Sequence, residues 1–137
     1  MSVGTFLLGA ILVSIGGAGG SVLRWWLREA GMRRAARRSS DGDLRAKPWL
    51  TFLANALACF VLGIVVARLG SAVSGVGELG FLLLAVGFCG GLSTLSTAAL
   101  DIVELLRRGS FALGVAYFLL TVGTGMSLLW LGLVIAS

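Results

Sequence analysis

Histidine is absent from the sequence, proline occurs once, cysteine twice, and only 12% of the residues carry charge. Without histidine there is no Ser-His-Asp or Cys-His arrangement. No paired buried carboxylates take its place, so catalysis of those kinds has no residues to work with. Cys59 and Cys89 both lie inside apolar runs. They are too few for a disulfide framework or a multi-thiolate metal site and read as small apolar packing residues. The scarcity of charge also argues against nucleic-acid-binding proteins and soluble enzymes. Apolar residues and glycine are abundant: 58% of side chains are hydrophobic, there are 21 glycines, and the mean hydropathy is +1.01. Glycine at that level with a single proline fits tightly packed membrane helices. The sequence therefore reads as an all-α integral membrane protein.

A spanning helix needs about 20 mostly apolar residues. Four segments qualify, at about 3–27, 49–69, 79–106 and 110–136. They leave no room for a soluble domain, so residues 1–137 read as a single four-helix transmembrane domain. The first span has no positive leader and meets its first arginine at Arg24, so it reads as a retained helix and not a signal peptide. Residues 28–48 form a basic loop in which Arg28, Arg33, Arg34, Arg37, Arg38, Arg45 and Lys47 outnumber Glu29, Asp41 and Asp43. Arg107 and Arg108 fall on the same side of the membrane, and the opposite side has only Arg68. The positive-inside rule then places both basic loops in the cytoplasm and both termini outside, in the cell's inner or plasma membrane. The loop reads first as a topology signal, with anionic-lipid or nucleic-acid binding as the alternative. Trp25, Trp26 and Trp49 flank it as interfacial anchors.

Polar side chains and helix interruptions are costly in lipid unless they face protein or a water-filled path, so their positions point to function. Gly16 and Gly20 have the spacing that lets two helix backbones approach closely. Arg24, one turn on, either snorkels to the interface or attracts anions to a vestibule. Asn55, one turn in from Thr51, either bonds a neighbouring helix or donates its amide to a permeating anion. In the third span Gly87, Gly90 and Gly91 precede Ser93, Thr94, Ser96 and Thr97. That pattern predicts a broken helix, whose free backbone groups bind ions only where they line a cavity or are buried in protein. No GK[ST] follows these glycines, which excludes a phosphate-binding P-loop. Each of these hydroxyls can also return to its own helix. Tyr117, Thr121 and Thr124 line one face of the fourth span.

With these residues in view, the chain resembles the Fluc (CrcB) family of small fluoride channels over nearly its whole length. The family's GGxxGxxxR stretch is met by Gly16, Gly17, Gly20 and Arg24, and its T-L-x-V-N stretch by TFLAN, ending at Asn55. GFCGGLSTLST matches its third-span signature, and Tyr117 with Thr121 matches its fourth-span Y-xxx-S pattern. The resemblance implies an antiparallel, dual-topology-type dimer of four-span subunits with two fluoride pathways and a structural sodium ion at the dimer centre. It implies that the backbone carbonyls of Gly90 and Ser93 hold the sodium. It implies further that Asn55, Ser96, Thr97, Tyr117 and Thr121 line the fluoride pathway and that Arg24 stands at its vestibule. In the family, phenylalanines whose positive ring edges face the anion occupy the positions of Leu95 and Ala98 in this chain. The family's following glutamate corresponds to Asp101, and Ala58 stands in place of a glycine.

The charge map adds an expectation of its own. An antiparallel homodimer needs one sequence inserted in both orientations, and so lopsided a loop charge fixes one orientation. The expected partner is therefore a homologous second subunit of opposite bias, surrounded by membrane lipids. A non-conducting scaffold subunit is the competing reading. A proton-coupled four-span multidrug exporter is a more distant one, because it needs an embedded carboxylate and Asp101 is the only candidate.

Overall fold

The computed structural model describes residues 3–37, 42–72 and 75–137, with the backbone alone for 42–46. Helix α1 covers Val3–Ala36 and α2 covers Gly42–Leu69. The third span comes in pieces: α3 (Val76–Phe81), a π-helical stretch (Leu82–Cys89), α4 (Gly90–Leu92) and α5 (Leu95–Arg107). Helix α6 (Phe111–Ala136) follows a tight turn in which Gly109 takes φ 75°, a left-handed conformation that favours glycine. Among the described residues there is no strand, and four helical segments are long and apolar enough to cross a membrane. This is the expected all-α multi-pass membrane protein with an interrupted third span.

The stretch 28–48 departs from the loop expected there. With 34 residues α1 is about 51 Å long at 1.5 Å per residue, well beyond an apolar layer of about 30 Å. It continues as helix through Ala36, and α2 begins at Gly42; residues 38–41 lie outside the described residues. Arginine, alanine, leucine and lysine are good helix formers, and their charge bars them from lipid, not from helix. The extension is braced from the side: a Cβ on Gly31 would fall 3.1 Å from Leu50 Cγ, so the two chains touch there.

Lipid tails are as apolar as leucine, so helices associate in a membrane through close van der Waals fit. The chain achieves this with glycine at two crossings. Helix α2 lies along α6, where a Cβ on Gly63 would stand 3.1 Å from Gly132 Cα. Helix α1 lies along the π-helical stretch and α4. There a Cβ on Gly16 would stand 2.9 Å from Phe88 N, and one on Gly20 would stand 2.7 Å from Leu92 N. Between the crossings Ala54, Ala58 and Leu92 form a small buried core, flanked by Leu23, Leu27 and Phe88. The outer faces, including Phe6, Ile11, Leu119 and Met126, are exposed and apolar, as contact with lipid or another subunit requires.

Candidate functional site

The interruption of the third span lies at Ser93 and Thr94, both in extended conformation (φ/ψ −75°/153° and −151°/116°). The preceding glycines do not break the helix as their sequence position suggests. Gly87 lies in the π-helical stretch, Gly90 and Gly91 are helical in α4, and Gly87 and Gly91 abut α1. The break falls two residues later, where serine and threonine offer the backbone an alternative to the helical ladder. Thr94 is the N-cap of α5: its Oγ1 accepts from Thr97 N at 3.3 Å. The same oxygen lies 3.0 Å from Thr97 Oγ1 and 3.3 Å from Ser96 Oγ.

Asn55 of α2 closes on the break from the other side. Its Oδ1 accepts from Thr94 N at 2.7 Å, and its Nδ2 donates to Thr94 O at 3.2 Å. One amide side chain thus satisfies both backbone groups of the extended residue, which would otherwise be unpaired in an apolar setting. Of the two roles open to Asn55, the structure displays the helix-to-helix bond. The second Nδ2 hydrogen has no role in this pair.

Helix α1 supplies the third wall. Arg24 Nη1 donates to Ser93 O at 3.4 Å and Ser21 Oγ to Gly91 O at 3.4 Å. Ser21, Arg24, Arg28, Thr51, Thr94 and Thr97, with Trp25 and Leu50, line a cavity of about 220 Å³. Two guanidinium groups and several hydroxyls around one small volume make a setting for a small anion, because they combine positive charge with hydrogen-bond donors and no carboxylate lines the cavity.

The structure brings Asn55, Ser96 and Thr97 together around Thr94, with Arg24 adjoining. It does not bring the fourth-span residues into hydrogen-bond contact with them. Tyr117 is buried and its hydroxyl donates to Pro48 O at 2.9 Å, while Thr121 Oγ1 donates to Tyr117 O of its own helix at 2.8 Å. Leu95 is 83% exposed and points away from the chain, whereas Ala98 is buried within it. Gly90 is exposed, with open space where a side chain would be.

Sequence reasoning missed three members of this site. Ser21 precedes Arg24 by three residues and Arg28 follows it by four, a helical spacing present in the pattern. Thr94 at the N-cap was visible only as one hydroxyl among four. Asp101 is buried, and its Oδ2 finds no hydrogen-bond partner among the described residues.

Fold and site together define a small four-span helical membrane protein whose broken third span presents polar groups to a cavity lined by Arg24 and Arg28. Residues 11–133 match the family described as CrcB-like protein, Camphor Resistance (CrcB), and the chain belongs to that family. It is 35% identical over 129 residues to a protein of Rhizobium etli named Fluoride-specific ion channel FluC, covering 94% of this chain and 96% of the relative. A protein of Rhodococcus jostii named Fluoride-specific ion channel FluC 2 is 36% identical over 127 residues, covering 93% and 97%. A Klebsiella pneumoniae relative, also named Fluoride-specific ion channel FluC, is 39% identical over 97 residues, covering 71% of this chain and 68% of its own. These relatives are named as ion channels, not enzymes.

Proposed function

We propose that this chain is a subunit of a fluoride channel that lets cytoplasmic fluoride leave the cell passively. The observation that carries this reading is the Asn55–Thr94 clamp, which opens the third span beside a vestibule holding Arg24 and Arg28. The names of the relatives supply the ion. Fluoride is small and strongly hydrated, so it gives up water only where close donors replace it. The second Asn55 amide hydrogen and the hydroxyls of Ser96, Thr97 and Tyr117 are the donors that a short rotation would free. No coupling group is required: hydrogen fluoride enters from acid surroundings, dissociates inside, and the negative interior drives the anion outward.

The same reading assigns a structural sodium ion to the carbonyls of Gly90 and Ser93, hard oxygens for a hard cation. The hydrogen bonding supports the fit. Thr94 N, which in an unbroken helix would return to Gly90 O, goes to Asn55 instead. Ser93 O accepts a long bond from Arg24 and keeps a second lone pair. In this reading the subunits are antiparallel, and the partner is a homologous chain of opposite charge bias that supplies the aromatic rings missing at Leu95 and Ala98. Termini outside and basic segments in the cytoplasm follow from the charge map.

The test is fluoride efflux from sodium-containing liposomes, with chloride as control, for this chain alone and together with a homologous four-span partner. Flux only with the partner is the expected result. Flux from this chain alone would refute the heterodimer. A second reading, a scaffold subunit without a pore of its own, is favoured by burial of Ala98 against its own chain; it predicts no flux in any combination that depends on this chain's Asn55.

A further inference from the structure

Beyond the apolar layer, the outward face of α1 ends in a structure that channel function does not use. Trp25 and Trp26 are 62% and 58% exposed. With Glu29, Arg33, Arg34 and Arg37 they line a cavity of about 300 Å³. Arg33 is held by Glu29 at 2.8 Å. The side chains of Arg34 and Arg37 have no hydrogen-bond or ion-pair partner among the described residues.

We propose that this cavity is a binding site for the headgroup of an anionic phospholipid, with the phosphate held by Arg34 and Arg37 and the glycerol region resting on the Trp25 and Trp26 rings. Three features favour a lipid. First, the site continues an apolar track: Ile15, Val22 and Trp26 are exposed at spacings of seven and four residues, and Arg33 continues that series on the same helix face, with Arg37 following one residue past the end of α1, its N–H still donating to Arg33 O. An apolar track crowned by cations matches an amphiphile, whereas a soluble anion would leave the track unused. Second, Cα–Cβ bonds in a helix tilt toward its N-terminus, here the membrane end. Trp26 and Arg37 are about 16 Å apart along the axis; this direction of lean favours reach toward the tryptophans, and all of these residues line one cavity. Third, the extension is braced against α2 through Gly31 and Leu50, so the arginines stand at a fixed height. A topology signal needs only positive charge. This arrangement adds fixed placement, aromatic support and two guanidinium groups without a partner among the described residues.

The experiment uses the full chain carrying Trp49→Phe and Trp130→Phe, so that fluorescence comes from Trp25 and Trp26, reconstituted in bilayers containing brominated phosphatidylglycerol or brominated phosphatidylcholine. Phosphatidylglycerol should reach half-maximal quenching at a mole fraction lower by about fivefold, a preference that fades at high salt. The triple variant R33Q/R34Q/R37Q should quench equally with both lipids while keeping its helical content and oligomer size. The corresponding lysine variant should recover part of the preference, because the charge returns without the guanidinium fork. Equal quenching in the parent, or a preference that survives in the glutamine variant, would overturn the proposal. So would protection from both lipids in a larger oligomer, since a second copy would then cover the face.

Discussion

As far as Leu92 the third span is held by backbone against backbone: Gly16 and Gly20 of α1 leave no room for a side chain between themselves and Phe88 or Leu92. From Thr94 onward it is held by side-chain hydrogen bonds, through Asn55 and the Thr94 cap. The first device depends on the absence of atoms and tolerates polarity changes. The second depends on particular donors and acceptors and tolerates modest changes of size. Meeting at Ser93, they let one half of the span be locked in place while the other presents Thr94 and Thr97 to the cavity beside Arg24.

Breaking the first device should have the largest effect. Gly20→Val places methyl groups against the backbone of Leu92, which has no rotamer with which to yield. We expect a loss of at least about 3 kcal/mol, read as collapse of the monodisperse species on mild heating in detergent, and no fluoride flux from liposomes that also hold the homologous partner. Gly20→Ala should lie between the two. Thermal retention equal to the parent would show that α1 can back away from the third span.

Breaking the second device should cost less stability but as much function. Asn55→Leu leaves Thr94 N–H and C=O unpaired, worth about 2 kcal/mol, while keeping the approximate shape of the side chain. The expected outcome is a folded protein whose flux, measured together with the homologous partner, is reduced at least tenfold, about 1.4 kcal/mol in barrier terms. Asn55→Asp sharpens the result, because it keeps the acceptor for Thr94 N but turns the donor facing Thr94 O into a like-charged neighbour. Undiminished flux in Asn55→Leu would remove the clamp from the mechanism.

The smallest effect is expected at Thr121, whose hydroxyl is spent on its own helix. Thr121→Val should change stability within about 0.5 kcal/mol and leave flux near the parent value. A large loss of flux would mean that the hydroxyl turns away from Tyr117 O during conduction.

The four spans were legible because lengths without charge are a one-dimensional signal. The existence of a break was legible too, from glycines followed by hydroxyls. Its position was not, because the role of a glycine depends on what approaches it: Gly87 and Gly91 are used for contact with α1, and contact between distant segments leaves no local mark. Asn55 stood between two roles, and its partner lies 39 residues away on the backbone. The helix through Ala36 was missed for another reason: without apolar residues at helical spacing, a charged stretch reads as loop whichever form it takes.

The π-helical stretch has a consequence for phase. A π turn closes its hydrogen bonds one residue later than an α turn, and each residue of a helix advances the azimuth by about 100°. The widened turn at Leu82–Cys89 therefore acts as a rotary offset between the start of the third span and its centre. Deleting a single residue there would let the widened turn close as an α turn and be absorbed locally, whereas the same deletion within α5 would turn the residues beyond it by about a quarter of a circle.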